Sequence, residues 1–224
     1  MNKSSVASTA DEAKSVGSTC RSILISGVGG QGTILASRLI AQAAILAGWN
    51  ARTAETIGMA QRGGSVLGHV RCFEGWEKAP LSALISPGKA DLLIGFEPAE
   101  TLRALPYLKP QGTVITSTSP IIPAANFFAT SAESDGYQPQ QVVDWLTNLS
   151  GQEPGFRLIR LDGQQICAEL ESPKVLNTVL LGAAAASGAL GLGLKLLEEA
   201  LRELVSSAYL DVNLRALHRG WEQG

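Results

Sequence analysis

Three apolar residues, Ile23, Leu24 and Ile25, run directly into the hexapeptide GVGGQG at positions 27–32. A chain can pass through so many glycines and leave as a helix only by a tight turn, because glycine alone takes positive φ at little cost. Ile34, Leu35, Leu39, Ile40, Ala43 and Leu46 then recur at helical spacing, which predicts a helix over about 30–47 with Gly48 as its stop. Ala36, Ser37, Ala41 and Ala44 keep that helix slim enough to lie close to a sheet or to another subunit.

A second strand, 49–56, delivers another glycine-rich loop, GMAQRGGS at 58–65, and 66–73 alternates like a third strand. A plain βαβαβ unit would place a helix where this loop stands. Downstream, ADLLIGF at 90–96 is continuously apolar, as a strand buried on both faces of a parallel sheet should be. A helix is expected over 97–105 with Pro98 in its first turn, and Gln111–Gly112 should turn the chain into a strand at 113–116. Residues 119–155 lose regular rhythm except for a helical stretch at 140–149, and read as an insertion or flap. A strand follows at 156–161, with Asp162 placed to cap a helix through Leu170. Ser172 and Pro173 look like the start of another helix, and 194–205 and 209–221 are amphipathic.

This pattern defines the fold class as α/β, a Rossmann-like mostly parallel sheet with flanking helices and a helical C-terminal end. At 224 residues the chain suits one domain, 22–224, preceded by a polar tail at 1–21 that is expected to be disordered. The tail lacks the apolar centre of a signal peptide, so a cytoplasmic location is expected. A net charge of −2 provides no basic field for nucleic acid. The uncharged run 175–194 is mostly alanine and glycine with Asn177, Thr178 and Ser187 inside it, and reads as a buried helix rather than a membrane span. Cys20, Cys72 and Cys167 lie far apart, so the chain is expected to hold no iron–sulfur cluster or metal by itself.

Gly27, Gly29 and Gly32 meet the GxGxxG spacing, which aims backbone N–H groups and a helix N-terminus at one anion. Glu55 lies about where a dinucleotide fold keeps its ribose-binding acid. A free-standing NAD(P)-dependent oxidoreductase is therefore one reading, with purely structural glycines as another. Arg62 sets a fixed positive charge among glycines in the second loop, and two such loops on neighbouring strands suggest one shared ligand-binding edge. His69 and His218 have no sequence neighbours that would make them catalytic, Cys72 is expected to be buried and inert, and no nucleophile with its base can be named.

GVGGQGTILASRLIAQAAILAG followed by ETIGMAQRGGSVLGHVR resembles the gamma-type subunit or domain of 2-oxoacid:ferredoxin oxidoreductases, and within that family the indolepyruvate branch. The similarity continues through ADLLIGFEPAETLRALPYLKPQGTVI, the IIP segment with Tyr137 and Pro139, NTVLLGA and LDVNLRALHRG, so it covers about 23–220. The resemblance implies a pyruvate/ketoisovalerate oxidoreductase gamma-type catalytic domain, inactive alone. Its complex would oxidatively decarboxylate arylpyruvates to acyl-CoA and pass electrons to ferredoxin. Thiamine diphosphate, Mg²⁺ and [4Fe–4S] clusters would belong to a large partner subunit, and CoA would meet this chain at the loops. Carried over by position, Gly27, Gly29, Gly30, Gln31, Gly32 and Thr33 form the first loop, and Met59, Gln61, Arg62, Gly63, Gly64 and Ser65 the second, with Asn177 as a third element. Ser117 stands where the family often has asparagine, and there the resemblance assigns no ligand contact.

Overall fold

The computed structural model describes residues 20–58, 64–77, 79–120 and 138–224. Its strands are β1 (Cys20–Val28), β2 (Asn50–Ile57), β3 (Ser65–Phe73), β4 (Ala90–Gly95), β5 (Leu108–Ser117) and β6 (Arg157–Leu161). They form one six-stranded sheet in the order β2-β3-β1-β4-β5-β6. β1, β4, β5 and β6 run parallel, while β3 is antiparallel to both β1 and β2. The expected mostly parallel sheet is therefore present. Its irregularity lies in β3, which follows β2 in sequence and runs antiparallel between β2 and β1.

Helices α1 (Thr33–Leu46), α4 (Gly163–Glu169), α5 (Leu176–Ala186), α6 (Leu194–Leu204) and α7 (Ser207–Trp221) supply side chains to the core on one face of the sheet. Ile23 and Ile25 of β1 enter that core, whereas Leu24 enters a smaller one on the opposite face with Leu93, Val114 and Ala104 of α2 (Pro98–Ala104). α3 (Pro139–Ser150) buries Val142, Val143 and Leu146. Complete burial of Ile23, Leu24 and Ile25 explains the unbroken apolar run, and each contributes about 1.5–3 kcal/mol.

Several expected boundaries move. Cys20 and Arg21, assigned to the tail, are part of β1 because they pair with Phe73 and Cys72; residues 1–19 lie outside the described residues. Gln111 and Gly112 do not precede β5 but interrupt it: Gln111 sits at φ 59, and the pairing register shifts between Ala90 and Leu92. Ser172 and Pro173 do not start a helix. Glu171 takes φ 53, the Ser172 N–H closes the end of α4 on the Cys167 carbonyl, and α5 begins at Leu176. The uncharged run 175–194 is not one helix, since left-handed Gly188 and Gly191 end α5 and lead into α6. Asp162 does cap α4, accepting from the Gln165 N–H. Among the described residues no helix is long and apolar enough to cross a membrane.

α5 and α7 cross with almost no space between their backbones. A Cβ on Gly182 would lie 2.1 Å from the Leu217 carbonyl oxygen, and one on Gly220 would lie 1.9 Å from that of Val179. Two glycines, one on each helix, make this approach possible.

His69 of β3 is buried, and its Nδ1 accepts the Ile85 N–H at 3.1 Å. The ring thus pins the irregular segment after β3, and burial holds its pKa below the ordinary value of 6.5. Its stabilising contribution is fully present above the unfolded pKa and is lost as pH falls through that value toward the lowered folded one, because only the unfolded chain takes up the proton. Urea midpoints measured from pH 7.5 to 5 should fall for the native chain. His69→Asn, which can keep an acceptor for Ile85, should show a flatter profile.

Candidate functional site

The first loop is shaped by two left-handed glycines, Gly30 at φ 94 and Gly32 at φ 85. Gly27 is needed for another reason: a Cβ there would sit 2.7 Å from Gln31 Oε1 and 3.1 Å from Phe96 Cβ. Gly29 donates its N–H to the Gly64 carbonyl at 3.1 Å, and Gly58 donates to Ser65 at 2.8 Å. The two glycine loops therefore meet at the end of β1, where Val28 pairs with Ser65. Of the second loop, Gly64 and Ser65 are placed this way, while Met59, Gln61, Arg62 and Gly63 lie outside the described residues.

Gln31 faces inward. Its Oε1 accepts the Val28 N–H at 2.5 Å and its Nε2 donates to the Phe96 carbonyl at 3.2 Å. The side chain thereby ties the end of β1 to the end of β4, across the point where the strand order reverses. Open α/β sheets bind ligands in that crevice, and here Gln31 fills part of it. Glu55 is exposed on β2 and separated from β1 by β3, so it stands two strand spacings away, about 10 Å. That position removes it from the ribose-binding role the sequence spacing suggested.

Beside the loop lies a cleft of about 490 Å³ bounded by Gly29, Gly30, Gly32, Lys174, Leu176 and Asn177 among others. The N-terminus of α1 opens on it, with no side-chain cap and no acid in the first turn, so its unsatisfied N–H groups favour an anion. Thr33, the first residue of α1, is buried and its carbonyl accepts the Ser37 hydroxyl. Asn177 is 2 % exposed, and its Nδ2 lies 2.7 Å from where a Cβ on Gly32 would be. Its Oδ1 accepts from Thr178 N at 2.9 Å, whereas Nδ2 has no hydrogen-bond partner among the described residues. The amide therefore offers donors to the cleft. Lys174 is exposed and forms no ion pair among the described residues.

Pro173 and Leu176 also border a second cavity of about 340 Å³, lined by Phe96, Pro120, Cys167 and Ala168. An apolar space thus adjoins the donor-rich one along the C-terminal ends of β4, β5 and β6. Ser117 is fully buried and its Oγ accepts the Ser119 N–H at 3.2 Å. The cysteine thiols stay inert where buried: burial, then neighbouring Cys20, pushes Cys72 up to about 12, and burial raises Cys167. Among the described residues no group of His, Cys, Asp and Glu is arranged to hold a metal ion. Sequence reading missed Lys174, whose only signal was a basic residue two positions after Ser172 and three before Asn177.

The fold is α/β, with the first glycine loop and the Gly64–Ser65 end of the second meeting at the end of β1. Residues 22–223 match the pyruvate ferredoxin/flavodoxin oxidoreductase family, and the chain belongs to that family. It is 38% identical over 201 residues to indolepyruvate oxidoreductase subunit IorB of Archaeoglobus fulgidus, covering 90% of this chain and 94% of that one. With the protein of the same name from Thermococcus kodakarensis it shares 34% over 198 residues, 88% and 93% of the two chains. The fold resembles the gamma subunit of a keto/oxoacid ferredoxin oxidoreductase from Geobacter sulfurreducens, with TM-score 0.62, 21% identity and coverage of 92% and 96%. It also resembles part of the 2-oxoglutarate:ferredoxin oxidoreductase from Magnetococcus marinus, with TM-score 0.64 and 20% identity, across 91% of this chain and 31% of that one. Neither the displaced Glu55 nor these relatives favour the NAD(P)-dependent alternative.

Proposed function

We propose that this chain is the smaller subunit of an indolepyruvate:ferredoxin oxidoreductase and works only in complex with a large subunit. The complex decarboxylates an arylpyruvate oxidatively, yields an aryl-acetyl-CoA and passes electrons to ferredoxin. Thiamine diphosphate, Mg²⁺ and [4Fe–4S] clusters reside in the large subunit, and the assembly is cytoplasmic. The observation that carries this reading is similarity to an indolepyruvate oxidoreductase subunit over 94% of that subunit's length.

This chain's own part is to shape a wall of the site and to receive CoA. The donor-rich cleft fits the phosphate-bearing part of CoA, since α1 N–H groups, Asn177 Nδ2 and Lys174 converge there. Gly29, Gly30 and Gly32 bring backbone close to the ligand, Gly27 leaves room for the Gln31 side chain that holds the loop, and Thr33 starts the helix. The proposed ligand-contacting set also includes Met59, Gln61, Arg62 and Gly63, which lie outside the described residues, together with Gly64 and Ser65. When bound, CoA supplies the thiol that accepts the acyl group.

Affinity purification of the chain from its native cell tests the assembly. A large thiamine-diphosphate-binding, iron–sulfur subunit should co-purify in stable ratio, and the isolated chain should be colourless and leave NADH fluorescence unchanged at sub-millimolar cofactor. Recovery of the chain without such a subunit, or tight NADH binding, contradicts the reading.

A further inference from the structure

The direction in which Asn177 presents its amide is set by Thr178, and Thr178 is itself held from the C-terminal helix. Thr178 is fully buried and has two donors. Its backbone N–H donates to Asn177 Oδ1 at 2.9 Å, and its hydroxyl lies 2.7 Å from Asn213 Oδ1 and 3.3 Å from Asn177 Oδ1. Asn213 Nδ2 in turn donates to the Tyr209 carbonyl at 2.8 Å. Two amide oxygens thus converge on one threonine, which can satisfy both only as a donor. Each amide must then turn its NH₂ away: that of Asn213 to Tyr209, that of Asn177 to the cleft beside Gly32. The glycine-mediated crossing of α5 and α7 brings Asn213 within reach of Thr178.

We infer that Thr178 and Asn213 are positioning residues that fix the Asn177 amide with its N–H groups toward the ligand, so that the cleft receives an acceptor such as a phosphate oxygen. This inference rests on the reading of the cleft as the CoA-binding part of the chain. A flipped amide would aim Oδ1 at that ligand and repel it. The Thr178 backbone N–H removes this alternative, because a flipped amide would set its NH₂ against that donor, and the hydroxyl, whose proton goes to Asn213 Oδ1, holds this first turn of α5 against α7. Both residues act through Asn177 and touch no ligand themselves.

The test uses the reconstituted two-subunit complex, with CoA as the probe, and compares Thr178→Val, Thr178→Ser, Asn213→Ala, Asn177→Ala and the double variant Asn177→Ala/Thr178→Val. Thr178→Val and Asn213→Ala should each raise KM for CoA about threefold to tenfold, as expected for one hydrogen bond, and leave KM for the 2-oxoacid in place. Thr178→Ser should restore the native KM for CoA. The double variant should bind CoA no worse than Asn177→Ala alone. Additive losses in the double variant, or an unchanged KM for CoA in Thr178→Val beside a raised one in Asn177→Ala, would overturn the positioning role. An unchanged KM for CoA in Asn177→Ala itself would overturn the CoA reading of the cleft, and the inference with it.

Discussion

Gly220→Ala destabilises this chain by about 3 kcal/mol, the upper range for overpacking a close-packed contact. The sign is not obvious from helix chemistry, since alanine in a helix interior is ordinarily better than glycine by about 1 kcal/mol. Packing overrides propensity here because the new methyl would lie 1.9 Å from the Val179 carbonyl oxygen and 2.7 Å from its carbon. Both are backbone atoms and cannot rotate aside, so α7 has to move off α5. Gly182→Ala meets the Leu217 carbonyl oxygen at 2.1 Å and should behave alike. Urea unfolding of the purified complex and of the chain measures the loss. A midpoint equal to the native one in either variant would show that the helices do not cross as closely as described. Retreat of α7 also withdraws Asn213 from Thr178, so the surviving folded fraction of Gly220→Ala should bind CoA less well.

Asn177→Asp has the second large effect, and it falls on function. The substitution keeps size and shape but exchanges a donor group for a carboxylate oxygen. That oxygen would stand at the N-terminus of α1 and near Lys174, where a negative charge is stabilised. It would act as an internal anion in the place assigned to the ligand's own. Loss of a charge-assisted hydrogen bond predicts a CoA affinity lower by about 10-fold to 100-fold. Asn177→Ala removes the donor without adding a competitor and should lose less. The comparison is direct by isothermal titration with CoA: equal binding by native and Asn177→Asp complexes is incompatible with a donor-lined anion cleft.

Much of the architecture was readable because its cues are local. Unbroken apolar runs marked β1 and β4, the glycine loop marked the turn into α1, and Asp162 marked the start of α4. A strand at 66–73 was also readable, although placement of β3 between β2 and β1 was not. Polar Cys20 and Arg21 gave no strand signal, because their strand character comes from pairing with a segment some fifty residues away. Ser172–Pro173 imitates a helix start, yet the positive φ at Glu171 delays α5 to Leu176. That delay leaves Pro173 and Lys174 on the turn that borders the cleft.

The site was legible only in part for the same reason. Adjacency of the two loops followed from glycines on successive strands, and the structure joins them through the Gly29–Gly64 hydrogen bond. The meeting of Gly32 with Asn177, and of Thr178 with Asn213, spans long stretches of chain and leaves no periodic trace. Gln31 was marked by its place in the motif and does line the cleft, but the bonds of its side chain to Val28 and Phe96 left no trace in the sequence. Glu55 matched a spacing rule that assumes β2 lies beside β1, an assumption the β2–β3 hairpin breaks.

The most direct measurement is ferredoxin reduction by the two separately purified subunits, alone and mixed, with indolepyruvate in the presence and absence of CoA. Neither subunit should turn over alone, mixing them should restore activity, and product formation should stop when CoA is left out. Full activity of the large subunit without this chain, or NAD(P)-dependent turnover by this chain alone, would contradict the proposed function.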